Sequence, residues 1–140
     1  MAGEVLGFVG ARSIVCRPTS TAHARALHRE DPEVIVWWGS IVECSSSISR
    51  VERAGGLSEA DAGLARASLA QLRITWFEVQ PGELLREQAI HLLRLHPLRA
   101  ADALQLASAL EWADSPPVGA FVTFDERLRS AALREGFSVP

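Results

Sequence analysis

The 140-residue sequence contains only two cysteines, Cys16 and Cys44, and they do not form a CxxC pair. This spacing excludes the disulfide framework of small secreted domains and predicts two unpaired, buried thiols in a reduced, intracellular protein. No apolar run approaches the roughly 20 residues that a membrane-spanning helix needs, and the first residues carry no basic segment typical of a signal peptide. We therefore expect a cytoplasmic protein that makes no membrane contact.

A basic excess is also missing, because 14 arginines stand against 17 acidic residues, lysine is absent and the net charge is −3. The overall charge gives no general attraction to nucleic acid, so any RNA contact would depend on local arginines or on a bound metal. The sequence lacks phosphate-binding loops of the G-x-x-x-x-G-K-[ST] and G-x-G-x-x-G types, and its histidines lack HxH and HExxH spacing. These absences disfavour an unrelated phosphate-handling α/β enzyme and a histidine-based metallohydrolase.

The chain fits one domain over residues 1–140, since 48% of its residues are hydrophobic and 22% are charged. Local patterns predict strands separated by helices, which favours a mainly parallel sheet covered on both faces. The predicted strands are Glu4–Val9, Val34–Trp38, Thr75–Val79, Ala120–Thr123 and Phe137–Val139. The predicted helices are one that runs through residues 22–27 and is stopped by Asp31-Pro32, then Ile41–Ala54, a helix opening at Ser58, Glu83–Leu95, Leu98–Trp112 and Asp125–Arg134. The helix Leu98–Trp112 is apolar nearly all round, as expected for the centre of a domain.

Three acidic residues lie where ligands bind in an open parallel sheet, just beyond the carboxyl ends of strands or in the first turns of helices. Glu43 begins the helix after the second predicted strand, and Asp125 begins the helix after the fourth. Asp102 lies in the opening turns of the apolar helix. Glu43, Asp102 and Asp125 are therefore the candidate metal ligands and catalytic residues.

Each acid also has a purely structural explanation. Glu43 has capping-box spacing with Ser40, Asp125 fits an N-cap, and Asp102 could complement the helix dipole. Asp102 is the hardest to explain in this way, because a carboxylate in an apolar helix is costly unless a cation or several donors balance its charge. A divalent cation would supply that balance.

The four tryptophans, Trp37, Trp38, Trp76 and Trp112, allow two interpretations. They could provide stacking surfaces for RNA bases, or they could pack in the core. Three lie in strand-like runs and one ends the apolar helix, so the pattern favours core packing.

The arginines leave a similar choice open between a solvated surface and contacts to RNA phosphates or to a protein partner. The residues concerned are Arg50, Arg53, Arg127 and Arg129. Arg99, three residues before Asp102, is either an exposed helix-start residue, a partner of a nearby acid or a supporting residue of the site.

Two segments resemble motifs of PIN domains. Residues 98–107 (LRAADALQLA) are similar to the R-A-A-D-A-L-x-L-A segment of that family, and residues 121–128 (FVTFDERL) resemble its F-V-T-x-D-x-x-L segment. Residues 40–44 (SIVEC) lie where the family has its second acid. From residue 34 to the C-terminus the chain thus resembles PIN-domain ribonucleases of the VapC toxin type.

The resemblance implies a three-layer α/β/α sandwich with a mainly parallel central sheet. It also implies that Glu43, Asp102 and Asp125 bind Mg²⁺ or Mn²⁺ and carry catalysis, with Thr123 as a polar neighbour. The implied function is that of a metal-dependent endoribonuclease, the toxin of a toxin–antitoxin pair, which hydrolyses RNA phosphodiester bonds. The implied partners are an antitoxin, whose C-terminal segment lies across the active-site groove, and a second copy in a homodimer.

The first strand departs from the family pattern. The family has an aspartate after two hydrophobic residues, whereas this chain has Gly10 there, and Arg12 replaces a small residue. Arg12 could also neutralise part of the charge of the remaining acids. The alternative function is therefore a catalytically impaired PIN-fold binding module that retains antitoxin or RNA contact.

Overall fold

A computed structural model of the chain describes residues 7–8, 14–15, 34–113, 117, 120–123 and 125–140. Within these residues the fold is mixed α/β and rich in helix. The strands are β1 (Gly7–Phe8), β2 (Ile14–Val15), β3 (Val34–Trp37) and β4 (Trp76–Val79), and the helices are α1 (Ser40–Arg53), α2 (Glu59–Thr75), α3 (Glu83–Leu95), α4 (Ala100–Trp112) and α5 (Glu126–Arg134). The predicted helix at residues 22–27 lies outside the described residues.

The strands β3 and β4 pair in parallel, with Val34 opposite Trp76. This confirms the two predicted strands at these positions, each to within one residue of its predicted bounds. The predicted first strand is represented by β1, which pairs antiparallel with β2, a strand that the sequence pattern did not predict. The strands predicted at residues 120–123 and 137–139 are reduced to one parallel bridge between Ala120 and Ser138.

The helix ends follow local signals in the sequence. Gly55 after α1 and Gly136 after α5 have φ angles of 79° and 99°, a backbone conformation that favours glycine and ends a helix. Ser58 caps α2 by accepting a hydrogen bond from the backbone N–H of Asp61 at 3.1 Å. None of the helices in the described part of the chain is long and apolar enough to cross a bilayer.

The helix α4 is buried on most of its sides, as its composition predicts, and it packs on α3 and lies against β3. One cluster of buried side chains joins α3, α4 and α5, and a second joins β3, β4, α1 and α2. The largest fully buried apolar side chains in these clusters are Phe121, Leu106, Leu92, Leu128, Ile48 and Val36. The rings of Phe121 and Phe137 lie 5.6 Å apart and extend the first cluster to the C-terminus.

Two predictions about buried residues need correction. Cys44 is fully buried, but it forms a disulfide bond, so the prediction of an unpaired thiol is wrong at this residue. Among the tryptophans, Trp76 packs in the core, whereas Trp38 is 48% exposed and Trp112 is 42% exposed. Core packing is therefore the wrong interpretation for those two side chains, which lie at an element boundary and at a helix end.

Candidate active site

Glu43 does not take part in the capping box that its spacing from Ser40 predicts. The N-cap of α1 is Gly39, no side chain caps this end, and Ser40 is the first helical residue. The carboxylate Oε2 of Glu43 instead accepts hydrogen bonds from Trp37 Nε1 at 3.2 Å and from Gln105 Nε2 at 2.6 Å. The side chain is therefore directed toward Gln105 of α4.

The glycine before α1 makes room for one of these two contacts. A β-carbon added at Gly39 would overlap the indole ring of Trp37, so the close approach of this ring requires glycine. The ring lies against the turn between β3 and α1, with its N–H on Glu43. Gly39 and Trp37 together fix the orientation of the Glu43 carboxylate.

We predict that Gly39→Ala will lower the free energy of unfolding by about 1–3 kcal/mol, because the added methyl group forces the Trp37 ring out of a packed position. Urea unfolding followed by tryptophan fluorescence measures this change. Gly63→Ala is the matched control, since Gly63 lies within α2 with open space around it, and alanine there should stabilise the helix by about 0.5–1 kcal/mol. Equal effects of the two substitutions would contradict the proposed packing.

Asp102 lies in the first turn of α4 and is only 3% exposed. The backbone N–H of Arg99 lies 3.4 Å from its Oδ2, a long contact at the start of the helix. Gln105 follows three residues later, and residues at this spacing share one face of a helix. The helix α4 therefore carries Asp102 one turn away from the amide that holds Glu43.

Asp125 acts as the N-cap of α5, the structural role that the sequence offered as its alternative. Its Oδ1 accepts a hydrogen bond from the backbone N–H of Leu128 at 2.9 Å. The backbone N–H of Asp125 donates in turn to Oγ1 of the buried Thr123 at 3.1 Å. Thr123 is thus a polar neighbour of Asp125.

The three acids do not form a ready ligand set. Across residues 34–113 and the later described segments, no three His, Cys, Asp or Glu side chains form a group that could hold one metal ion. Joint binding of a cation by Glu43, Asp102 and Asp125 therefore stays a prediction. Gly10 and Arg12, which carry the departure from the family motif, lie outside the described residues.

Arg99 is the N-cap residue of α4, and its side chain is exposed. It makes no ion pair with any side chain in the described ranges, which agrees with its interpretation as an exposed helix-start residue. Arg50 and Arg127 are also exposed, whereas Arg129 is half-buried and donates to the carbonyl oxygen of Pro140 at 3.3 Å. An exposed arginine one turn before Asp102 remains available for contact with a phosphate.

Two buried oxygen atoms in this part of the molecule have no hydrogen-bond partner among the described residues. They are Oγ of Ser40, which is fully buried, and Oε1 of Gln105, a side chain that is 2% exposed. Together with the carboxylates of Glu43 and Asp102, the side chains here offer carboxylate, amide and hydroxyl oxygens, the ligand atoms that Mg²⁺ and Mn²⁺ prefer. The chemistry of the side chains therefore fits a divalent cation.

The sequence reasoning missed Gln105 and assigned the wrong role to Ser40. A signal for Gln105 was present, because it is an uncharged polar residue one turn after Asp102 in an otherwise apolar helix. Ser40 gave no such signal, since a serine three residues before a glutamate has capping-box spacing whatever the side chain does. Trp37 is an aromatic residue in a strand-like run, and no local pattern encodes the contact of its N–H with Glu43.

Comparison with known proteins adds no family assignment, since no protein-family model and no curated protein matches the chain.

Proposed function

We propose that the chain is a metal-dependent endoribonuclease of the PIN-domain type, the toxin of a toxin–antitoxin pair. The observation that carries this proposal is the buried carboxylate of Asp102 in an apolar helix, one turn from the Gln105 amide that holds Glu43. Carboxylate oxygens are ligands that Mg²⁺ and Mn²⁺ prefer, and acids at helix starts beyond strand ends lie where α/β sheets bind ligands. The proposal includes the complete three-layer α/β/α sandwich and a cytoplasmic location.

In this proposal Glu43, Asp102 and Asp125 hold Mg²⁺ or Mn²⁺. The cation, when bound, supplies positive charge against the phosphate oxygens and lowers the pKa of a bound water. The residues of the chain position the reactants: Gln105 and Trp37 orient Glu43, and Thr123 supports the turn that carries Asp125. In this proposal Arg99, an exposed residue at the start of α4, contacts a phosphate of the substrate.

The test is a cleavage assay with purified protein and RNA, in which the 5′ and 3′ ends of the products are mapped. We expect internal cuts that require Mg²⁺ or Mn²⁺ and that stop when EDTA is added. Cleavage that continues in EDTA would contradict a metal-dependent reaction. RNA that stays intact with the protein at high concentration and both metals present would favour the alternative function.

RNA as the substrate is supported by the surface beside Glu43. Trp38 is half-exposed and packs edge-to-face against Trp37, with the ring centroids 6.4 Å apart, and Trp37 in turn donates to Glu43. An exposed indole ring can stack on a base of single-stranded RNA, where such contacts contribute about 1–3 kcal/mol each. Because the net charge of −3 gives no general attraction to RNA, a stacked base would supply a larger share of the binding energy.

We predict that Trp38→Ala will weaken the binding of single-stranded RNA by at least about fivefold, which corresponds to the lower end of the energy of one stacked base. Fluorescence anisotropy with a labelled RNA of mixed sequence, measured in Ca²⁺ to prevent cleavage, gives the affinity. Trp112→Ala is the matched control, because Trp112 is about as exposed but lies about 15 Å along α4 from Asp102. A loss of affinity in the control as large as in Trp38→Ala would remove Trp38 from the proposed RNA surface.

A second function, a catalytically impaired PIN-fold binding module, is favoured by two observations. The motif aspartate of the first strand is replaced by Gly10, and the Glu43 carboxylate accepts hydrogen bonds from two neutral side chains. Such a module would keep contact with an antitoxin or with RNA and would not cleave. Both functions include a small antitoxin and a homodimer as partners, and co-purification with the neighbouring gene product together with light scattering tests them.

A further inference from the structure

The two polar atoms of the Gln105 amide group, Nε2 and Oε1, differ in their contacts. Its Nε2 donates to the carboxylate Oε2 of Glu43 at 2.6 Å, a contact that spans 62 residues of sequence. The amide cannot be rotated to place Oε1 there, because a carbonyl oxygen and a carboxylate oxygen are both acceptors and would repel. The orientation of the amide is therefore determined by Glu43.

This orientation leaves the carbonyl oxygen Oε1 of Gln105 buried without a partner within the described residues. Burying an acceptor without a hydrogen bond costs free energy, and native proteins keep few such groups. Asp102, which is buried, lies one turn away on the same helix. The unpartnered Oε1 of Gln105 can therefore accept from a donor or bind a cation.

A second buried oxygen without a hydrogen-bond partner among the described residues lies on α1. Ser40 lies three residues before Glu43, on the same face of α1, and its Oγ has no partner among the residues that the structure describes. It is fully buried. Two helices thus each present an acidic side chain together with an unpartnered neutral oxygen.

We propose that Gln105 is part of the cation site: its amide N–H positions Glu43, and its Oε1 binds a divalent cation, either directly or through a cation-bound water. Amide oxygens are accepted ligands of hard cations, which also retain several waters when protein ligands are few. Gln105 and Ser40 then add neutral oxygens to a site that lacks the aspartate at position 10. This inference rests on the proposed metal-dependent function and names one further residue of its site.

The test measures Mn²⁺ binding by the full-length protein, by calorimetry and by the electron paramagnetic resonance signal of free Mn²⁺. Gln105→Met keeps the length of the side chain but removes both the N–H and the oxygen. We expect this variant to bind Mn²⁺ about 10- to 100-fold more weakly, the usual loss when a residue that orients a metal ligand is removed. Ser108→Ala is the matched control, since Ser108 is a buried polar residue of α4 whose hydroxyl donates within the helix to the carbonyl oxygen of Leu104. The Mn²⁺ affinity of the Ser108→Ala variant should equal that of the wild type.

Gln105→Glu separates a site residue from a merely structural one. It retains an oxygen at Oε1 and places a second carboxylate against Glu43, so its melting temperature without metal should fall. If Oε1 faces the cation, Mn²⁺ relieves this repulsion and raises the melting temperature more in Gln105→Glu than in the wild type. An equal Mn²⁺ response in both proteins would overturn the inference.

The possible failures can be told apart. Mn²⁺ binding that is equal in wild type and in both Gln105 variants rejects the role of Gln105 and leaves the proposed nuclease intact. Absence of Mn²⁺ binding in every protein, the wild type included, rejects the metal-dependent function and this inference with it. Mn²⁺ binding that depends on Gln105 in a protein that does not cleave RNA supports the inference and rejects the nuclease.

Discussion

Asp102→Asn is expected to lower the rate of RNA cleavage by on the order of 100-fold or more, since loss of one precisely placed charged group displaces the reacting atoms. Asparagine has nearly the shape of aspartate, so the packing around the start of α4 is retained. The interaction of Asp102 with the helix dipole contributes about 0.3–1 kcal/mol, and folding should survive its loss. Single-turnover cleavage rates at saturating Mn²⁺, together with thermal unfolding, give both quantities.

The matched control for this substitution is Asp61→Asn. Asp61 lies at the same position in the first turn of α2 as Asp102 does in α4, but it is exposed. The Asp61→Asn variant should lose a similar interaction with the helix dipole and keep the full rate of RNA cleavage. Equal cleavage by the Asp102 variant and the wild type would show that the buried carboxylate has no catalytic role.

Gly10→Asp is expected to raise the cleavage rate on the order of 100-fold, because a fourth acid would improve control of the position of the cation and its water. This expectation comes from the family motif, in which an aspartate follows two hydrophobic residues of the first strand, as Phe8 and Val9 precede Gly10 here. Cleavage rates of variant and wild type, measured with the same RNA at several Mn²⁺ concentrations, test it.

The control for Gly10→Asp is Ala11→Asp, which adds the same charge one residue further along. A gain in rate confined to position 10 supports an incomplete PIN-type site. Cleavage by Gly10→Asp alone, with none by the wild type, identifies the protein as an impaired module of this fold. A rate unchanged or lowered at position 10 would contradict the alignment of this strand with the family motif.

The sequence by itself determined the elements whose signals are local. The ends of α1 and α5 follow from Gly55 and Gly136, because glycine adopts without strain the positive φ angles found there. The capping serine Ser58 placed the start of α2. The apolar composition of residues 98–112 identified the buried helix α4, and these signals require no knowledge of distant residues.

Only the tertiary structure decided what the side chains of the site contact. Ser40 and Glu43 satisfy the capping-box spacing, but Glu43 binds the amide of Gln105 across 62 residues of sequence. Neither local spacing nor composition encodes such a contact, because it depends on how α1 and α4 are brought together. The same holds for Trp38, which a strand-like pattern placed in the core, since exposure depends on which elements cover a side chain and not on its neighbours in sequence.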